Sequence, residues 1–239
     1  MNTMDYNLSR SKRKTISLII EPSGELTIKA PIKYPVSQID AFVQSKELWI
    51  RTKREKIARQ IEKQNLEMPT FEPGSFLNVL GHAYEVKVQN TSVDAKHLRH
   101  EGVYLVDGNA IIVTKHKTVT HMIKLVEDFY RKEAQKFIDV RTRTLSAKLG
   151  VTPTKVVAKT QKKRWGTCTS QGHIYLNWKL MMVPAEVFEY VMIHEWCHLH
   201  HLDHSKAFWH VVKQADPRHK AHISWLKENS FVIRWPYQS

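Results

Sequence analysis

Histidine crowds the last fifth of this chain, and that crowding limits what the chain can fold into. Eight of its 14 histidines fall in the 29 residues from His194 to His222. Neutral imidazole is the commonest metal ligand, so metal binding is the first expectation. Within the run, His194-Glu195-Trp196-Cys197-His198 reads HExxH. The apolar residues Val187, Tyr190, Val191 and Leu199 set it on an amphipathic helix predicted from Pro184 to about His201. Pro184 suits a first helical position, and Glu186 and Glu189 suit the positive end of the dipole. Residues i and i+4 of a helix share a face, about 6 Å apart along the axis. Two imidazoles so placed pinch one zinc ion, and Glu195 projects from the same end. Metal-activated water attacks a carbonyl while a carboxylate takes its proton, so no nucleophilic side chain is needed.

A catalytic zinc needs a third protein ligand and one open position. His201 lies about 10 Å beyond His194 on a straight helix, too far to share the ion, and His200 is rotated off the face. The third ligand must come from where the chain turns back. His204 fits, with Leu202-Asp203 as the turn and Asp203 or Ser205 as the next cap. His210 and Glu189 are the fallbacks. Asp203 is also the first guess for a group that orients an imidazole. His200, His201, His219 and His222 read as surface histidines. Cys168 and Cys197 read as buried free thiols; two cysteines make no disulfide framework, which suits a reducing, cytoplasmic setting.

The rest of the chain predicts a single α+β protein. Of its 239 residues 42% are hydrophobic and 25% charged, which excludes a disordered chain, and no apolar run approaches the ~18 residues of a membrane span. Residues 1–14 are polar and basic and are expected to fray. Residues 15–115 form a β-rich part with one long helix. It has a hairpin over Ile16–Ile20 and Glu25–Lys29, then a helix from about Gln38 to Lys63. That helix turns Ile39, Phe42, Val43, Leu48, Trp49, Ile57 and Ile61 inward. Four short strands follow: 76–80, 83–88, 103–106 and 110–114, with 90–101 as a loop. Residues 116–239 begin with a long amphipathic helix closed by Gly150. Strands at 155–159 and 173–178 follow, the latter entered through a turn at Ser170-Gln171-Gly172, and then the histidine-bearing helix. Two more helices end the chain, Ser205–Ala215 and about Arg218–Asn229.

Two longer stretches carry a resemblance. Arg164-Trp165-Gly166-Thr167-Cys168-Thr169-Ser170-Gln171-Gly172-His173-Ile174-Tyr175-Leu176-Asn177-Trp178 resembles an RWGSCSSxGxIxLNW signature, with Thr167 where Ser is usual. His194–His198 followed by Asp203-His204-Ser205-Lys206-Ala207-Phe208-Trp209 resembles HExxHx5HSxxFW. Together they resemble the YgjP-like zinc metallopeptidases, a zincin group similar to the SprT/Spartan proteases. The resemblance covers roughly residues 15–230. It implies a zincin-like metallopeptidase core and a peptide or protein substrate. It also implies one zinc ion per chain held by His194, His198 and His204, with Glu195 as general base. The ligand spacing equals that of metzincins, but His201 stands where those have Gly, which argues against that clan.

Zincins commonly bind substrate as a strand added to a sheet edge, so Arg164, Trp165 and Gly166 are expected to shape the substrate cleft. The competing reading is a core hairpin anchored by Trp165 and Trp178. Charge adds one more expectation. The formal net charge is +14, and residues 115–164 hold 14 Lys/Arg against 4 Asp/Glu. Such a basic stripe attracts polyanions, which makes DNA or RNA a candidate partner through Lys162, Lys163 and Arg164, and the similarity to Spartan-type proteases points the same way.

Overall fold

The computed structural model describes residues 5–21, 23–67, 71–72, 74–90 and 100–229, with the backbone alone for 60–67. The chain forms two compact units, residues 1–66 and 67–239. Within the described residues, no helix is long and apolar enough to cross a membrane.

In the first unit, the expected hairpin is β2 (Ser17–Ile20) against β3 (Leu26–Pro31). Alternation along β3 buries Leu26, Ile28 and Ala30 beside Ile39, Val43 and Ile50. Residues 7–11, in the stretch expected to fray, instead form β1 (Asn7–Ser11), parallel to β3. Long-range polar bonds hold this stretch. Arg10 Nη1 donates to the carbonyls of Pro31, Ile32 and Tyr34 at 3.1, 2.8 and 2.8 Å, and Tyr6 Oη donates to Asp40 at 2.7 Å. The single helix expected from Gln38 is two, α1 (Val36–Ser45) and α2 (Glu47–Glu67), parted at Lys46. At about 100° per residue, Ile50 falls within roughly 20° of the face of Ile39 and is buried, while Leu48 and Trp49, expected inward, stand about 180° and 80° from that face and are exposed. Phe42 and Ile57 are half-buried, and the side chain of Ile61 lies outside the described residues.

The second unit holds the histidines. Four strands, β4 (Phe76–Val79), β5 (His82–Asn90), β6 (Gly102–Val106) and β7 (Asn109–Thr114), form a sheet ordered β4-β5-β7-β6. Both local pairs are antiparallel, and β5 pairs with β7 in parallel. The loop expected at 90–101 falls largely outside the described residues. Thr118 caps α3 (Val119–Leu149) through His121 N–H, and Gly150 ends it in the left-handed conformation at φ 66°. Every fourth residue from Met122 to Ile138 is buried, and Leu145 extends the stripe. That stripe meets Leu77, Val86 and Ile112 from the sheet and Val187, Phe188 and Ile193 from the histidine helix in one core. The core thus crosses the boundary expected at 115/116.

After α3, β8 (Lys155–Lys159), β9 (Gly166–Cys168) and β10 (His173–Asn177) form a sheet ordered β8-β10-β9. The turn expected at Ser170–Gly172 closes β9 against β10, with Gly172 at φ 75° and its N–H on Thr169 O at 2.9 Å. A 3-10 turn over Trp178–Met182 leads into α4 (Ala185–Cys197), then α5 (Lys206–Ala215) and α6 (His219–Glu228). α4 is buried nearly all round, from Val187 to Cys197, rather than along one stripe. It ends at Cys197, four residues before the expected His201.

Candidate metal centre

Helical spacing sets His194 of α4 and His198, its C-cap, one turn apart, and the early end of that helix lets the chain fold back. Ser205 caps α5 through Phe208 N–H, so His204 is delivered just ahead of a fixed helix start. Imidazole nitrogens of His194, His198 and His204 all lie within 4.8 Å of one another, the one such His/Cys/Asp/Glu cluster among the described residues. His194 Nε2 and His204 Nε2 are 3.2 Å apart. Two nitrogens at ~2.05 Å on one tetrahedral zinc stand about 3.3 Å apart, so this spacing fits a shared ion.

The rings are held for that task. His198 Nδ1 bonds His201 O at 3.0 Å, which directs its other nitrogen to the cluster. The orienting group is thus a main-chain carbonyl and not Asp203, whose Oδ1 instead accepts from Ser205 N–H. Phe208, fully buried, touches all three rings: stacked on His198 at 4.5 Å and edge-on to His194 and His204 at 5.0 and 4.8 Å. Burial pulls His194 down to about 4, helped by His198 and His204, and burial also lowers His198. Both shifts favour neutral imidazole, the form that binds metal. His194 Nδ1 is buried without a hydrogen-bond partner among the described residues.

Glu195 lies beside the cluster, only 6% exposed. Burial raises its carboxyl to about 8, against the opposing pull of Arg164 and a hydrogen bond from the Cys168 backbone. Gly166 leaves the carboxylate its room. A Cβ there would sit 2.5 Å from Glu195 Oε1 and 2.6 Å from its Cγ. Gly166, expected in the substrate cleft, therefore abuts the acid itself.

The other candidates separate. His210 is exposed and outside the cluster, Glu189 sits 3.7 Å from Arg141, and exposed His200 bonds Leu149 O at 3.0 Å. His219 and His222, expected at the surface, are buried. His222 Nδ1 meets Asp216 Oδ2 at 2.7 Å and His219 Nδ1 meets Asp216 O at 2.9 Å, partners that make burial affordable. Cys197 is fully buried and Cys168 half-buried, their thiols pushed up to about 12 and about 11, chiefly by burial. Trp178 is a core residue; Trp165 packs against that core while half-buried.

Lys162, Lys163 and Arg164 line an open groove of about 560 Å³ with Lys159, Thr167 and Tyr175. Asn177 went unnoticed in the sequence and builds this feature. Its buried side-chain amide donates to the carbonyls of Gln161 and Arg164 at 2.9 and 3.0 Å, clamping both ends of the basic loop. Only its place in the LNW triplet could have marked it. Part of the basic stripe is neutralised within the chain. Arg131, Lys136 and Arg141, on α3, stand beside Glu127, Glu133 and Glu189.

With this geometry in view, the comparison with protein families is decisive. The model described as YgjP-like, metallopeptidase domain, matches residues 14–229. The chain belongs to the YgjP-like metallopeptidase family. Its mixed α+β architecture agrees with a zincin-like metallopeptidase domain. Membership implies a metal cofactor and a peptide or protein substrate, and says nothing of a nucleic acid. Comparison with curated proteins and with solved structures returns no match.

Proposed function

We propose that this YgjP-like chain is an HExxH-x5-H zinc peptidase, in which His194, His198 and His204 hold one zinc ion and Glu195 is the general base. The three-imidazole cluster carries this reading: among the described residues no fourth His, Cys, Asp or Glu joins it. A structural zinc site closes all four positions, whereas a catalytic one keeps one open. Zinc, when bound, polarises the scissile carbonyl and lowers the pKa of water towards 7.

The chain's own residues do the rest. Cys168 N–H and the bare Cα of Gly166 fix where the Glu195 carboxylate stands. From there Glu195 accepts the proton of the attacking water and returns it to the leaving amine. The positive charge that the imidazoles are suited to hold favours the ionised carboxylate, against the burial that raises it. β9 is an edge strand of its sheet, so apart from Cys168 N–H, which serves Glu195, its outward main-chain groups suit pairing with an extended peptide, with Arg164, Trp165 and Gly166 at the start of that edge.

The decisive variant is Glu195→Gln. It is expected to keep zinc and fold while losing at least about 10²-fold in hydrolysis rate. Zinc content by elemental analysis and cleavage of a peptide library read the two separately. Equal cleavage by the variant and the parent would sink the mechanism.

A further inference from the structure

The groove over the β8-β10-β9 sheet, lined by Lys159, Tyr175 and Thr167 with the loop before β9, joins a high positive charge to a fixed shape. Lys159, Lys162, Lys163 and Arg164 line it, and no carboxylate does. Among the described residues, none of these four cations is in an ion pair. Their loop is not loose. Asn177 clamps the carbonyls of Gln161 and Arg164. The Gln161 side chain donates to Tyr175 O at 2.9 Å and accepts from Thr167 Oγ1 at 3.0 Å. Arg131 and Trp178 both donate to Thr160 Oγ1. The main chain that carries these exposed cations is thus fixed by side-chain amides, and with no carboxylate in the lining the loop presents its charge to an anionic ligand.

The two faces of β9 differ. Gly166 looks onto Glu195, while Thr167 lines the groove. Successive residues of a strand point to opposite faces, and a peptide added along the edge of β9 follows the same alternation. If one of its side chains turns towards Glu195, the next turns towards the cations. We infer that the groove selects peptide segments bearing acidic side chains at alternate positions. The inference deepens the peptidase reading and rests on it.

A nucleic acid fits the groove less well. Single strands are held by stacking bases on aromatic faces. Tyr175 is the one aromatic residue lining the groove, and Lys159 Nζ covers its ring at 5.2 Å. On α3, Arg131, Lys136 and Arg141 already stand beside carboxylates of Glu127, Glu133 and Glu189.

Fluorescence anisotropy on the full, zinc-loaded chain tests this. The probes are eight-residue peptides with Glu at alternate positions, the same number of Glu in one block, or Gln throughout. Three or four exposed ion pairs should tighten binding roughly 10-fold for the alternating Glu peptide over the Gln peptide. The advantage should shrink between about 0.05 and 0.3 M salt. It should vanish in Lys162→Glu/Lys163→Glu and halve in Lys163→Gln. Equal affinity for the Glu and Gln peptides would overturn the inference. So would equal affinity for the alternating and block peptides, or tighter binding of an oligothymidylate of the same length. Binding of the Glu peptide without hydrolysis of any peptide would sustain the groove assignment and count against the peptidase reading, so the two fail separately.

Discussion

Replacing Gly166 with Ala probes the contact that places Glu195, the proposed general base. The added Cβ would lie 2.5 Å from Glu195 Oε1 and 2.7 Å from its Cδ, where ordinary contact begins at 3.4 Å. The carboxylate must then retreat by roughly 0.9 Å, because the packed interior has little slack to absorb the overlap. Glu195 is 6% exposed and hydrogen-bonded by the Cys168 backbone, so retreat also disturbs that bond. A misplacement of about 1 Å in a reacting group costs on the order of 10²-fold in rate, or ~2.7 kcal/mol of barrier. Overpacking should lower stability by about 1–3 kcal/mol, leaving a folded protein. The atoms nearest the new methyl belong to Glu195 and not to an imidazole, so zinc content should hold. Steady-state cleavage of a peptide, with thermal unfolding and zinc analysis in parallel, should show a fall in kcat at full metal occupancy. A Gly166→Ala protein with kcat within about twofold of the parent would refute the argument that this glycine places the acid.

His204→Ala should release most of the zinc on mild dialysis, whereas His200→Ala and His210→Ala should keep it, because their rings lie outside the cluster; metal loss from His210→Ala alone would overturn the ligand set. Lys179→Met should stabilise the protein at neutral pH. Burial lowers this fully buried lysine from 10.5 to about 8, so the unfolded state holds the extra proton between those values. Wild-type stability should therefore rise with pH across that window. The variant's advantage, up to ~3 kcal/mol below pH 8, should close towards pH 10.5 in urea titrations. An advantage that does not change with pH would show that packing, and not charge, governs the site.

What the chain states locally can be read without a structure. HExxH on a helix, Ser205 ahead of α5, the stripe of α3 and its closing Gly150, and the paired strands all depend on neighbours a few residues away. His194, His198 and Glu195 come together for the same reason, since helical pitch alone puts them there. His204 needed one turn more, and its spacing still pointed to it.

What the chain does on returning to itself is another matter. Gly166 abuts Glu195 across 29 positions, Arg10 ties β1 down through carbonyls 21 to 24 residues away, and Asn177 clamps a loop 13 to 16 residues before it. His219 and His222 read as surface residues until Asp216 supplied the buried partner that lets them go inside. Leu48 and Trp49 are outside because the buried face of Ile39, Val43 and Ile50 is set by packing on β3, and helical phase turns those two residues away from it. Periodicity records which face of an element is apolar. It does not record which side chain will fill the last space beside a buried carboxylate, because that depends on the packing of distant segments against one another.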